Sequence, residues 1–251
     1  MIAWVQQPGA YMNYKNSVAE IAAQVDIASE EIQTAIAAHE TWRPTAFDEA
    51  LHERMGTSYA TGTFKVIQWA LRREMLMALL RVWDAEEKAI SLKRIVGCLR
   101  DPEFVAALIR MRAEPTEGGF QRFLAEHLEA NYREKIDRVG QLFDKYQKCG
   151  DSAHVMKHLL TLRNTTLAHR QKFPIKPQRD ATAEEIEQFY SDTRAIVEDL
   201  LHVIKATALD TSDTVGVYGT YAKYFWEGAR GECTHGHPSY KGPFRPEDVG
   251  L

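Results

Sequence analysis

Cysteine is scarce in this chain and its spacing forms no pairs: Cys98, Cys149 and Cys233 are the only three in 251 residues, and none belongs to a CxxC. An odd, scattered set argues against a disulfide framework and points to a reducing compartment. Long hydrophobic runs are missing too. The most apolar stretch is broken by Arg72, Arg73, Glu74 and Arg81, which excludes an ordinary membrane span of about 20 apolar residues. The opening MIAWVQQPGAYMNYK lacks a basic region followed by a sustained apolar one, so a soluble cytoplasmic protein is expected. There is no phosphate-cradling glycine loop, nucleophile elbow or dinucleotide fingerprint; Gly216-Val217-Tyr218-Gly219 lacks the strand-turn-helix context that such a motif requires. Hydrolase and dehydrogenase readings therefore have nothing to rest on. What is present is an ordinary globular composition, 45% hydrophobic and 26% charged, in a chain long enough to bury a core by apolar packing alone.

Helical periodicity dominates the first four fifths. Val18, Ile21, Val25, Ile32 and Ile36 recur at helical spacing between Ser17 and Trp42, an amphipathic helix. From about Tyr59 to Trp83 the apolar residues cover nearly the whole circumference, as in a helix surrounded by others, and this one is expected to be the central helix of a bundle. Shorter helices are expected over Ser91 to Leu99 and from Pro102 to Arg112, the second capped by Asp101 with proline at its first position. A long one follows from about Glu117 to Gln147, then Lys148-Cys149-Gly150-Asp151-Ser152, a glycine stop with an Asp or Ser cap. The next helix runs from Ala153 to near Arg170. The last starts near Thr182, which forms a capping box with Glu185. No fixed repeat and no alternation of strands with helices appears. The expected fold is all-α, an antiparallel helical bundle over residues 1–210. Beyond Asp210 glycines alternate with aromatics, and residues 211–251 are expected to be an irregular, partly flexible extension packing on the bundle or on a second subunit.

Acid is absent from one segment. Ser152 to Arg179 holds six basic residues, Lys157, Arg163, Arg170, Lys172, Lys176 and Arg179, with three histidines and no Asp or Glu, while the rest of the chain carries 25 basic and 35 acidic residues. Such segregation focuses positive potential on one surface of an acidic molecule, where a polyanion can bind. The plainer alternative is a solvated basic face. Within the run, Thr161-Leu162-Arg163-Asn164-Thr165-Thr166-Leu167-Ala168-His169-Arg170 gathers a guanidinium, an amide, hydroxyls and an imidazole. Arginine suits bidentate phosphate contact and histidine moves protons near neutral pH.

Arg163-Asn164, four residues and then His169 resemble the signature of the HEPN superfamily, an arginine, a polar residue and, further along the helix, a histidine. The wider context, together with Ala78-Leu79-Leu80-Arg81-Val82-Trp83-Asp84 upstream, looks like its abortive-infection AbiU branch over residues 15–205. The resemblance implies a helical bundle that forms a homodimer with the two motifs facing each other. Many such proteins are metal-independent endoribonucleases of toxin or antiphage systems, acting without a cofactor; others are non-catalytic modules that bind nucleotide, RNA or a protein. On a continuous helix Arg163 and His169 point about 240° apart, whereas Arg163 and Arg170 nearly share a face, so a two-fold axis has separate half-sites to merge.

Carried onto this chain, His169 would act as base or acid and Arg163 would bind the scissile phosphate and steady its added charge. Asn164 would orient either one. Arg170, Thr165, Thr166, Lys172 and Lys157 are candidate substrate contacts. The expected partners are RNA, a second copy, and a cognate antitoxin or other defence protein, with no membrane. The plainer readings are that His169 complements a helix C-terminus and Arg163 pairs with an acid on a neighbouring helix. Arg81 and Asp84, three apart, are expected to form an ion pair oriented toward a neighbour or toward the motif. Cys233, His235 and His237 offer ligand types suited to zinc but lack a fourth ligand, and His154 and His158 at i,i+4 lack the rest of a metalloprotease signature, so no metal is expected.

Overall fold

The structure, a computed structural model, describes residues 8–84, 90–114, 119–164, 181–232, 234–238 and 240. Among them the fold is all-α, with no strand. In chain order the helices are α1 (Pro8–Phe47), α2 (Glu49–Met55), α3 (Ala60–Val82), α4 (Leu92–Leu99), α5 (Pro102–Ala113), α6 (Gly119–Lys145), α7 (Ala153–Leu162), α8 (Ala183–Leu200) and α9 (Thr211–Gly228). A π turn, Leu201–Lys205, prolongs α8.

Local chemistry sets most helix starts. Asp48 accepts from the Leu51 N–H at 3.1 Å, Ser91 from Arg94 at 3.3 Å and Asp101 from Glu103 at 3.0 Å, the last with Pro102 in the first turn. Thr182 and Glu185 close both arms of a capping box at 3.2 and 2.9 Å. Each satisfies an amide that the helix itself cannot. The expected side-chain cap at Ser152 is not made. Backbone bonds do that work, with Ser152 N–H donating to Lys145 at 3.0 Å and Gly150 N–H to Gln147 at 2.8 Å. The turn is tight enough that a Cβ on Gly150 would run into the Asp144 and Lys145 carbonyls.

The chain divides into two compact units, Met1–Gln33 with Met77–Thr211, and Thr34–Leu76 with Ser212–Leu251. In the first, α6 lies between α5 and α8. Trp83, just past α3, anchors the core: its ring stacks on Phe143 (5.6 Å, 3°), meets Tyr146 and Phe189, and its N–H donates to Thr193 Oγ1 at 3.0 Å. Two acids are buried on α8 and both are paired. Asp192 accepts from Lys145 Nζ and the Tyr146 hydroxyl, each at 2.7 Å, and Asp199 from Arg138 (2.5 and 2.6 Å) and Lys135 (3.3 Å). Burial, reinforced by the bond to Asp192, pushes the Tyr146 hydroxyl far above its ordinary range.

The second unit corrects two expectations. Residues 211–228 are a helix, not an irregular segment. Its glycines lower intrinsic propensity by up to about 1 kcal/mol each, but Ala222 and Trp226, four apart, are buried in a cluster with Leu51, Met55 and Phe64. Trp226 N–H also donates to the Thr41 carbonyl at 2.8 Å. Packing outweighs propensity here. The first half of α3, in turn, is not surrounded by other helices: Phe64 is buried, yet Val66 is 63% and Trp69 53% exposed. Only one stripe, Phe64 and Leu71, joins the cluster. From Met75 onward α3 is buried on most sides, as expected.

Candidate functional site

α7 holds the start of the basic segment. Val155 and Leu159, four apart, are buried and fix the helix, which leaves Lys157 exposed. Thr161 Oγ1 bonds back to the Lys157 carbonyl at 2.8 Å, a contact that tends to bend a helix. The chain does not stop at Leu162. Arg163 keeps helical dihedrals, its N–H is shared between the Leu159 and Leu160 carbonyls, and Arg163 and Asn164 enter a wider π turn. Such turns re-aim side chains and recur at functional sites.

Arg163 points at the end of α3. Its Nη1 donates to Asp84 Oδ2 at 2.9 Å and its Nε to Asn164 Oδ1 at 3.2 Å. The two ionic side chains are 20% and 21% exposed, at the margin between core and water. The fold therefore unites the two sequence segments that carried the resemblance, 79 residues apart. Asp84 faces the motif, one of the two directions expected for it, and Arg81 pairs with Glu31 on α1 at 2.7 Å. The plainer reading of Arg163, pairing with an acid on another helix, is thus met by an acid just past the end of α3. The contact still leaves a guanidinium, with five donors in all, partly open to solvent.

Lys157, six residues before Arg163, lies about 240° around α7 and does not share its face. His154 Nε2 meets Glu185 Oε1 on α8 at 2.7 Å. His169, Arg170, Thr165, Thr166 and Lys172 fall outside the described residues. Of the two directions expected for Asp84, toward a neighbour or toward the motif, the structure has the second.

Two clefts lie elsewhere. An 810 Å³ cleft between α4, α5 and α6 has an apolar floor including Val96, Leu99, Ala107 and Val139, and the Arg100–Asp144 pair (2.6 Å) lines it. A smaller cleft in the second unit is lined by Glu40, Phe47 and Trp226. Neither contains Arg163. Among the described residues no three His, Cys, Asp or Glu side chains are grouped to hold a metal ion. Cys233 is outside them; His237 sits edge-on to Tyr59 at 5.5 Å and His235 lies 4.5 Å from the Tyr240 ring. No described helix is long and apolar enough to cross a membrane.

Compared with known proteins, residues 20–225 match the family HEPN_AbiU2, described as AbiU2. The match extends past the 205 expected from the resemblance and takes in most of α9. No curated protein and no solved structure matches the chain.

Proposed function

Because this chain belongs to the AbiU2 family of HEPN proteins, we propose that it is a metal-independent endoribonuclease of an abortive-infection or toxin system, cutting RNA at a site shared between two copies. The observation that carries this reading is Arg163. The arginine that opens the motif stands at the edge of the core in a π turn, held at two of its nitrogens and partly exposed. That suits a group whose task is to receive a phosphate from solvent, since a pre-oriented guanidinium loses little entropy on binding.

The chemistry needs three services. A base takes the 2′-hydroxyl proton as that oxygen attacks phosphorus, donors stabilise the added charge, and an acid protonates the leaving 5′-oxygen. His169 serves as base or acid. Arg163 binds the scissile phosphate and stabilises its added charge, with Asn164 orienting its neighbours and Arg170 binding the adjoining chain. The two-fold arrangement supplies a second copy of each.

The test is purified protein with labelled single-stranded RNA in EDTA, alongside His169→Ala. The wild type should yield fragments, and the variant should remain folded and dimeric without cutting. RNA retained in a salt-sensitive way with no fragments would instead make this a binding module. Equal cutting by His169→Ala would overturn the mechanism.

A further inference from the structure

We propose that Asp84 is a positioning residue for Arg163, orienting the guanidinium for phosphate; this rests on the functional reading above. Three observations lead to it. First, Asp84 Oδ2 takes the Nη1 hydrogen and Asn164 Oδ1 takes the Nε hydrogen. These contacts engage Nε and Nη1 and fix the guanidinium plane, while the side chain stays one fifth exposed, within reach of an anion. A guanidinium whose plane is fixed presents its remaining N–H donors in set directions, which favours phosphate recognition.

Second, Asp84 stands on a rigid base. It follows Trp83, whose ring is locked by Phe143, Tyr146 and Phe189 and whose N–H is bonded to Thr193. A carboxylate held this way transmits its geometry to the group it binds, which is how a supporting residue defines a site.

Third, the position is a poor one for an acid on local grounds. Asp84 lies just beyond the C-terminus of α3, where the helix dipole disfavours negative charge. Its attraction to Arg163 is long-range in sequence and offsets that local penalty. The carboxylate also sits against Arg163 of the acid-free basic segment, where it opposes binding of any polyanion by simple electrostatics. A residue that costs both helix and attraction is explained if it orients the arginine.

This yields a test of sign. If Asp84 were only a counter-charge, Asp84→Asn would make the protein less acidic and tighten RNA binding. If it orients Arg163, the same change weakens affinity about threefold to tenfold at fixed salt and lowers single-turnover cleavage on the order of tenfold to a hundredfold, the scale of a misplaced group at a reacting centre. Binding is read by fluorescence anisotropy of a labelled single-stranded RNA in EDTA, with cleavage followed on the same RNA. Asp84→Glu, which keeps the charge, should restore part of both. In an Arg163→Ala background Asp84→Asn should add nothing, because its route is gone. Thermal unfolding of each variant separates this role from lost stability, which neither the partial rescue nor the non-additivity would follow.

Equal or tighter RNA binding with unchanged cleavage in Asp84→Asn overturns the positioning role while leaving the functional reading intact. Wild-type protein that neither retains nor cuts RNA overturns both.

Discussion

Trp226 offers the sharpest test of the architecture, because it lies in the segment whose sequence reads as irregular. The side chain is 4% exposed and its ring meets Phe64 edge-on at 5.6 Å. Its indole N–H reaches the Thr41 carbonyl at 2.8 Å, and its own carbonyl accepts from Arg54 Nη2 at 3.1 Å. Trp226→Ala removes the ring and the indole's bond to the Thr41 carbonyl, while the backbone bond to Arg54 survives. Large-to-small changes at buried aromatics cost about 3–5 kcal/mol, with edge-to-face pairing contributing about 0.5–1.5 of it. The control is on the same helix: Tyr221 and Tyr224 are 64% and 67% exposed, so Tyr221→Ala and Tyr224→Ala should each change stability by about 0.5 kcal/mol or less. Urea unfolding followed by circular dichroism supplies the energies, and amide exchange across 217–228 localises them. A loss below about 1 kcal/mol at Trp226, or equal losses at all three positions, would mean that α9 is not part of a core.

In the first unit, Asp199 is 1% exposed and bonded to Arg138 and Lys135. Asp199→Asn should cost about 2 kcal/mol in urea unfolding, below the 3–5 of a fully buried pair because Arg138 is half exposed; no change would show that water substitutes freely. Burial, with help from Lys135 and against Asp199, depresses the His202 pKa. The folded protein then binds this proton less readily than the unfolded chain, so the contribution is complete above about pH 6.5 and is lost as pH falls below it toward the depressed folded value. His202→Gln should flatten stability across that window, and an unaltered pH slope would assign the effect to other groups.

The helices were legible in the sequence wherever local chemistry decided them. Asp101-Pro102 and Thr182 with Glu185 place helix starts by hydrogen bonds that span two or three residues, so a one-dimensional pattern suffices. Two features resisted. In α9 the apolar stripe is short, Ala222 and Trp226, and glycines at 216, 219 and 228 mask it. Its stability comes from Leu51, Met55 and Phe64, more than 150 residues earlier, which no local window contains. In α3 the error ran the other way. Apolar residues on every side read as full burial, but composition cannot say how many neighbours arrive, and Val66 and Trp69 remain in water.

The same distinction governs the site. Arg163 and Asn164 are adjacent, and their mutual bond at 3.2 Å is within reach of sequence reasoning. The Asp84–Arg163 bond is less so, because helix spacing shows the near cation, Arg81 at i−3, and cannot show one 79 residues away. What strengthens the contact of Asp84 with Arg163 is partial burial. At the edge of the core, with both side chains about one fifth exposed, water no longer screens the pair fully, and the Arg163 contact strengthens relative to any solvated alternative. Arg81 pairs with Glu31, where its side chain is 39% exposed, and loss of that contact should matter correspondingly less. The chain thus places its better-shielded ion pair on the motif arginine and a more exposed one just before it. A bundle that needed only cohesion would gain as much from an apolar pair at 84 and 163, whereas an arginine that must meet a phosphate has to remain charged, oriented and reachable.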